Sequence, residues 1–281
     1  MIIFKKKQDL QFFLRKQAQQ HTMGFVPTMG ALHQGHYSLI AEARLQCSLV
    51  VCSIFVNPTQ FNDPKDFEKY PITLDTDIDG LVAAGCDVLF LPDVSEMYPQ
   101  GLTGQEHYNL GELETLLEGA YRPGHFQGVC QIVAKLLQAV QPHVLFLGQK
   151  DYQQCMVISR LVQLLNLTTI IEKCNTLREA DGLAMSSRNR RLNEHDREIA
   201  STIYQTLLLI KEHLAIGDTT GIIQTATTLL ANKGFKTDYV AIAHADTLAP
   251  VVHWDGKTPI LALIAAYLGD VRLIDNMMLN P

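Results

Sequence analysis

The residues most able to do chemistry stand together in Pro27-Thr28-Met29-Gly30-Ala31-Leu32-His33-Gln34-Gly35-His36. Two glycines permit close backbone approach, and the segment runs from a strand-like stretch into a helical one. A helix start offers N–H groups and partial positive charge to a phosphate. His33 and His36, three residues apart, can face one ligand. A neutral imidazole donates one N–H, and an imidazolium adds charge where a phosphoryl group grows more negative. The glycine pattern GxGxxG of dinucleotide-binding dehydrogenases is absent, which disfavours nicotinamide or flavin chemistry.

Two further segments suit the same kind of ligand. Asn57, Thr59 and Gln60 follow the apolar run Leu49–Val56. Amides there offer donor and acceptor to a small hydroxy acid, although Asn57-Pro58 reads equally as turn punctuation. Gly148-Gln149-Lys150-Asp151 lies between the run Val144–Leu147 and a helical pattern, where lysine and helix dipole both favour an anion. Asp75, Asp77 and Asp79 read as the solvated face of a helix, with metal binding the lesser alternative.

These segments need elements to hold them. Strand patterns at Met23–Val26, Leu49–Val56, Asp87–Leu91, Val144–Leu147 and Thr168–Ile171 alternate with helical ones at Gly35–Gln46, Leu74–Ala84, Val129–Val140 and Tyr152–Leu165. That βαβ rhythm predicts a parallel sheet covered on both faces, with ligands at the carboxyl ends of its strands. Beyond residue 177 come helices at Glu194–Leu214 and Gly221–Asn232, then strands at Tyr239–Ala243, Ile260–Ala266 and Val271–Leu273. The expected organisation is a Rossmann-like domain over 1–177 and a smaller α+β domain over 178–281.

Composition sets outer bounds. The 23 Lys+Arg against 29 Asp+Glu leave a net charge of -6, which argues against a general nucleic-acid binder. No apolar stretch reaches the ~18 residues of a membrane span. The 6 cysteines are scattered without metal-site spacing, several of them in apolar runs. The chain thus reads as a reduced, cytoplasmic protein. Residue types and spacing by themselves support a nucleotide site and no more.

PTMGALHQGH resembles the HxGH loop of the nucleotidyltransferase superfamily. Ser53-Ile54-Phe55-Val56-Asn57-Pro58-Thr59-Gln60-Phe61, Glu118-Gly119-Ala120-Tyr121-Arg122-Pro123-Gly124-His125-Phe126 and Asp181-Gly182-Leu183-Ala184-Met185-Ser186-Ser187-Arg188-Asn189 narrow the likeness. Together these segments are similar to the pantothenate synthetase (pantoate–β-alanine ligase) family. The resemblance implies that ATP, pantoate and β-alanine are substrates, that pantoyl adenylate is the intermediate, and that Mg²⁺ enters with ATP. It also implies a homodimer.

Residue by residue, the resemblance assigns ATP to Met29, Gly30, Ala31, Leu32, His33, Gln34, Gly35 and His36. It extends the ATP contacts to Gly148, Gln149, Lys150 and Asp151, to the backbone of Leu177 beside adenine, and to Met185, Ser186, Ser187 and Arg188. His36, His33, Lys150 and Arg188 would carry catalysis by stabilising the phosphates. Ser186, Ser187 and Arg188 match a mobile phosphate loop whose hydroxyls and guanidinium can follow a leaving pyrophosphate. Gln60 and Gln154 would hold pantoate, with Gln60 later meeting β-alanine. Arg122 and His125 would support the two loop histidines from behind. The sequence departs from the family at Gln149, where a glutamate is usual, and the metal ligands stay open.

Overall fold

The computed structural model describes residues 1–61, 67–68 and 70–280. The chain forms two compact units, one of Met1–Gln149 with Gln154–Asn175 and one of Lys150–Gln153 with Thr176–Pro281.

The first unit is built on strands β1 (Ile2–Phe4), β2 (Met23–Thr28), β3 (Leu49–Ile54), β4 (Val88–Phe90), β5 (Val144–Gly148) and β6 (Ile170–Cys174). They form one sheet in the order β1-β4-β3-β2-β5-β6, every pair parallel. Its principal helices are α1 (Lys7–Gln17), α2 (Gln34–Gln46), α3 (Leu74–Ala83), α4 (His125–Val140) and α5 (Tyr152–Leu164).

Strand β3 reads Leu-Val-Val-Cys-Ser-Ile and is buried throughout, because helices cover both sheet faces. Successive side chains go to opposite cores. Phe25, Val51, Phe90 and Leu145 join one cluster, whereas Val26, Cys52, Leu89 and Phe146 join the other. Strand order reverses between β2 and β5, and parallel sheets take their ligands outside the carboxyl ends at such a point. The loop after β2 carries His33 and His36, and β5 ends at Gly148.

The second unit holds helices α6 (Thr202–His213) and α7 (Thr220–Asn232) and strands β7 (Lys236–His244), β8 (Ile260–Leu268) and β9 (Val271–Met278). These strands form an antiparallel sheet with β8 in the middle. Ile203, Leu207 and Ile210 of α6 share a core with Ile260, Ala262 and Ile264 of β8. The α/β architecture with a smaller α+β portion agrees with the sequence reading. Among the described residues no helix is long and apolar enough to cross a membrane.

Three local differences have physical causes. The pattern reading has no elements before residue 23, yet β1 pairs with β4 and α1 buries Leu10 and Leu14. Leu10, Phe13 and Leu14 mark one short apolar stripe on that helix among charged and amide residues. The expected helix Glu194–Leu214 is divided into Glu194–Ile199 and α6. Its apolar period runs through the break, with Ile199 and Ile203 four apart. Strand β6 extends to Cys174 because it is an edge strand, where Glu172 and Lys173 can take the ladder and still reach water.

The 6 cysteines are buried thiols. Burial pushes Cys86 and Cys130 up to about 12, far from a reactive thiolate.

Candidate active site

The loop after β2 turns sharply. Thr28 Oγ1 donates to the carbonyl of Ser53 (2.7 Å) and accepts from the amide of Gly30 (3.2 Å). Gly30 and Ala31 both take positive φ, 80° and 49°. For alanine this region is strained by about 1–3 kcal/mol, so its surroundings must hold it there. A Cβ at position 30 would stand 3.1 Å from both Asp77 Oδ2 and Ile54 Cγ2, which leaves glycine as the residue that fits.

The acidic run on α3 is where the sequence expectation needs correction. Asp75 and Asp79 are exposed, but Asp77 is buried, at 1% exposure. Its Oδ2 accepts the amide of Ala31 and its Oδ1 the amide of Leu32, both at 2.8 Å. Thr73 Oγ1 donates to Oδ1 as well, at 3.0 Å. Asp77 can be buried because the loop amides and Thr73 supply the donors that water would otherwise provide.

His33 is the N-cap of α2 and His36 its third residue, and the two close a capping box. His33 Nδ1 accepts the amide of Gly35 at 3.1 Å, and His36 Nδ1 accepts the amide of His33 at 3.3 Å. The ring centroids are 4.1 Å apart. With Nδ1 accepting, the neutral ring of each histidine carries its proton on Nε2. The amides of Ala31, Leu32, His33 and Gly35 are engaged within the first unit.

The turn after β3 stands beside this loop, with the Gln60 side-chain amide against Met29 Sδ. Asn57 is fully buried, and its Nδ2 donates to the carbonyl of Gly128 at 3.0 Å. Its Oδ1 accepts from the Tyr98 hydroxyl at 2.7 Å. Asn57 is therefore an anchor of the turn, as the punctuation alternative had it. A Cβ on Gly128 of α4 would run into the carbonyl of Thr59, so glycine there lets the turn dock. Neither Tyr98 nor Gly128 carries any sequence mark of this role.

His125 backs the same turn. Its Nδ1 lies 2.8 Å from the carbonyl of Gln60, and its Nε2 lies 3.1 Å from Arg122 Nη1. Nδ1 thus donates and Nε2 accepts, with Glu118 3.9 Å from the Arg122 guanidinium. The family likeness placed this segment behind the two loop histidines. The bond to Gln60 ties it to the turn that itself touches Met29 of the histidine loop. Gln154 is partly buried in the first turn of α5. Gln149 opens a short 3₁₀ turn between β5 and α5, and Cys155 Sγ contacts the Gly148 carbonyl at 3.4 Å.

In the second unit, the Lys150 side chain is mostly buried and lies 3.8 Å from Asp151. Asn276 Nδ2 of β9 donates to the carbonyl of Lys150 at 2.7 Å. The neighbouring Asp275 is fully buried and accepts two bonds from Arg178, at 2.6 and 3.0 Å. Arg178 also lies 4.1 Å over the ring of Tyr204. The C-terminal strand, whose residues gave no motif, thus sets both Lys150 and the start of the Ser-Ser-Arg segment.

That segment is braced locally. The amide of Met185 donates to the carbonyl of Leu177 at 3.0 Å, which brings two of the expected ATP residues together. Ser186 Oγ caps the turn Ser187–Arg191 by accepting the amide of Arg188 at 3.2 Å. Arg197 grips Glu179 and Asp181 at 2.6 and 2.5 Å, and this contact holds the Asp181 carboxyl below its usual range. Ser187 is buried.

Comparison with known proteins bears directly on these segments. The model of the family described as pantoate-beta-alanine ligase matches residues 2–278. A pantothenate synthetase of Pseudomonas fluorescens strain Pf0-1 is 47% identical over 268 residues, 95% of this chain and 93% of that protein. One from Hahella chejuensis is 45% identical over 100% of this chain and 99% of its own length. The crystal structure of pantothenate synthetase from Thermus thermophilus superposes with a TM-score of 0.92 at 39% identity, covering 100% of both chains. A pantoate-β-alanine ligase from Francisella tularensis, complexed with β-γ ATP and β-alanine, gives 0.83 at 38% identity over 99% of this chain and 98% of that one. The chain belongs to the pantoate–β-alanine ligase family.

Proposed function

We propose that the loop histidines and Gln60 divide the work of an AMP-forming ligase, and that this division carries ATP-dependent condensation of pantoate with β-alanine. A carboxylate reacts poorly with an amine at neutral pH because its leaving group is poor. Pantoate's carboxylate first attacks the α-phosphate of ATP, giving pantoyl adenylate and pyrophosphate. The amine of β-alanine then attacks the acyl carbon, releasing pantothenate and AMP. No side-chain nucleophile enters either step.

The observation that carries this reading is the placement of two fixed imidazole donors on the same strand-end corner as the Gln60 amide. Nε2–H groups of His33 and His36 donate to phosphate oxygens as charge builds on them. Gln60 and Gln154 orient pantoate. Lys150 and Arg188 add positive charge on the phosphates, Ser186 and Ser187 add hydroxyls, and the backbone of Leu177 meets adenine. Gly148, Gln149 and Asp151 complete the ATP contacts. The decisive experiment is pyrophosphate exchange into ATP with pantoate and without β-alanine. Exchange that requires pantoate supports the ligase, and no exchange with any acid supports a nucleotide sensor.

Mg²⁺ would arrive on the nucleotide. Around the histidine loop the buried carboxylate Asp77 already has both oxygens engaged, so phosphate oxygens and water are the fitting ligands. The ion supplies charge neutralisation on the triphosphate. We also place the chain in the cytoplasm as a homodimer. Buried thiols suit a reducing compartment, and light scattering reads the assembly directly.

Two predictions arise here. Gln60→Ala or Gln154→Ala should raise the pantoate KM while leaving ATP binding near wild type, since losing one hydrogen-bonding partner in a buried site costs ~1–3 kcal/mol. A defect confined to ATP affinity would assign these glutamines to the wrong substrate. Gln149→Glu should change the ATP KM by less than about tenfold, or ~1.4 kcal/mol. Glutamine keeps one acceptor oxygen and loses only a negative charge that a triphosphate does not need. If the wild type proved inactive and the glutamate variant gained ligase activity, Gln149 would mark a catalytic loss.

A further inference from the structure

Nothing in its sequence neighbourhood separates Asp77 from Asp75 and Asp79, yet it alone of the three is buried beneath the histidine loop. Two backbone amides of adjacent residues, Ala31 and Leu32, point at its two oxygens. A carboxylate can accept one on each of its oxygens. An asparagine would offer one oxygen and turn an N–H toward the other amide. Hydrogen bonds to an ionised acceptor are the stronger kind, and here they hold Ala31 at a φ of 49°.

Helix α3 grips the same segment a second time. A Cβ on Gly80 would run into the hydroxyl of Tyr37, the residue after His36, so glycine lets α3 and α2 close together. Leu32, Leu39 and Ile40 share a core cluster with Leu81. The turn at Ala31 and Leu32 decides where His33 enters the helix. That entry decides whether the amides of Gly35 and His33 reach the two Nδ1 atoms.

We propose that Asp77 is a positioning residue for His33 and His36. By accepting hydrogen bonds from the amides of Ala31 and Leu32, it sets the turn from which both imidazoles present Nε2–H to the reacting phosphates. It touches no substrate itself. This inference rests on the adenylate-forming reading of the loop.

The test is a double-mutant cycle read by pantoate-dependent pyrophosphate exchange. Asp77→Asn should lower kcat by about ten- to hundredfold with the ATP KM within about threefold, because the lost interaction acts on the transition state. In a His33→Ala/His36→Ala background the same change should cost less than about threefold, since the groups it positions are gone. A merely structural role would lower the rate equally in both backgrounds, and that result would overturn the proposal. So would Asp77→Asn exchange within about twofold of wild type. Should Asp77→Asn fail to fold, Thr73→Ala, which removes only the third donor, should show the same background dependence at smaller size.

A second readout is independent of turnover. In ¹⁵N-histidine spectra at neutral pH, His33 and His36 of the wild type should show the Nε2–H tautomer, and Asp77→Asn should mix the tautomers. Unchanged ring shifts would overturn the positioning role. Absence of exchange in the wild type would instead count against the ligase reading, and the ring spectra would still decide the part played by Asp77.

Discussion

His36→Ala is expected to slow pantoate-dependent pyrophosphate exchange by about 10²–10³-fold, the usual cost of about 2.7–4 kcal/mol for removing a donor aimed at developing charge. The substitution also opens the capping box, because His33 loses the acceptor for its amide. That second loss costs about 0.5–2 kcal/mol of stability and is separable from the first. His36→Glu restores a capping-box acceptor at the same helix position but places a negative charge toward phosphate. Its melting temperature should approach that of the wild type while exchange stays lost. A near-normal rate in the alanine variant would remove His36 from the mechanism.

Arg178→Ala is expected to destabilise the second unit by about 3–5 kcal/mol, since it leaves the fully buried Asp275 without its counter-charge. Two bonds to the carboxylate and the stacking on Tyr204 vanish together. The chain has a single tryptophan, Trp254, and it belongs to this unit, so its fluorescence under urea reports the unit's own unfolding. A midpoint shift worth less than about 1 kcal/mol would show that Asp275 finds other donors. The double change Arg178→Met/Asp275→Leu should recover much of the loss, because an apolar pair of similar volume needs no compensation.

Several parts of the site were legible from local sequence alone. The run Leu-Val-Val-Cys-Ser-Ile can only be comfortable between two helical layers, and it is the buried β3. His33 and His36 fall at the N-cap and third residue of α2, where their spacing puts both on one helix start. Strand-loop-helix rhythm placed Pro27–His36, the Asn57–Gln60 turn and Gly148 at strand ends, where a parallel sheet offers its ligand edge.

The roles of individual side chains depended on the path of the chain. Asp77 binds amides 45 and 46 residues away, and an aspartate on a helix looks the same in sequence whether it meets water or a strained turn. His125 reaches the carbonyl of Gln60 over 65 residues, so its service to that turn is a product of α4 packing against the turn itself. Asn276 reaches the carbonyl of Lys150 over 126 residues, from a strand whose pattern reports only burial. Periodicity and residue type determine which elements form and which chemistry the loops can hold, because those depend on neighbours within a few residues. Which ring nitrogen carries the proton, and which carboxylate is buried, depend on donors supplied by distant segments, so only the tertiary structure decided them.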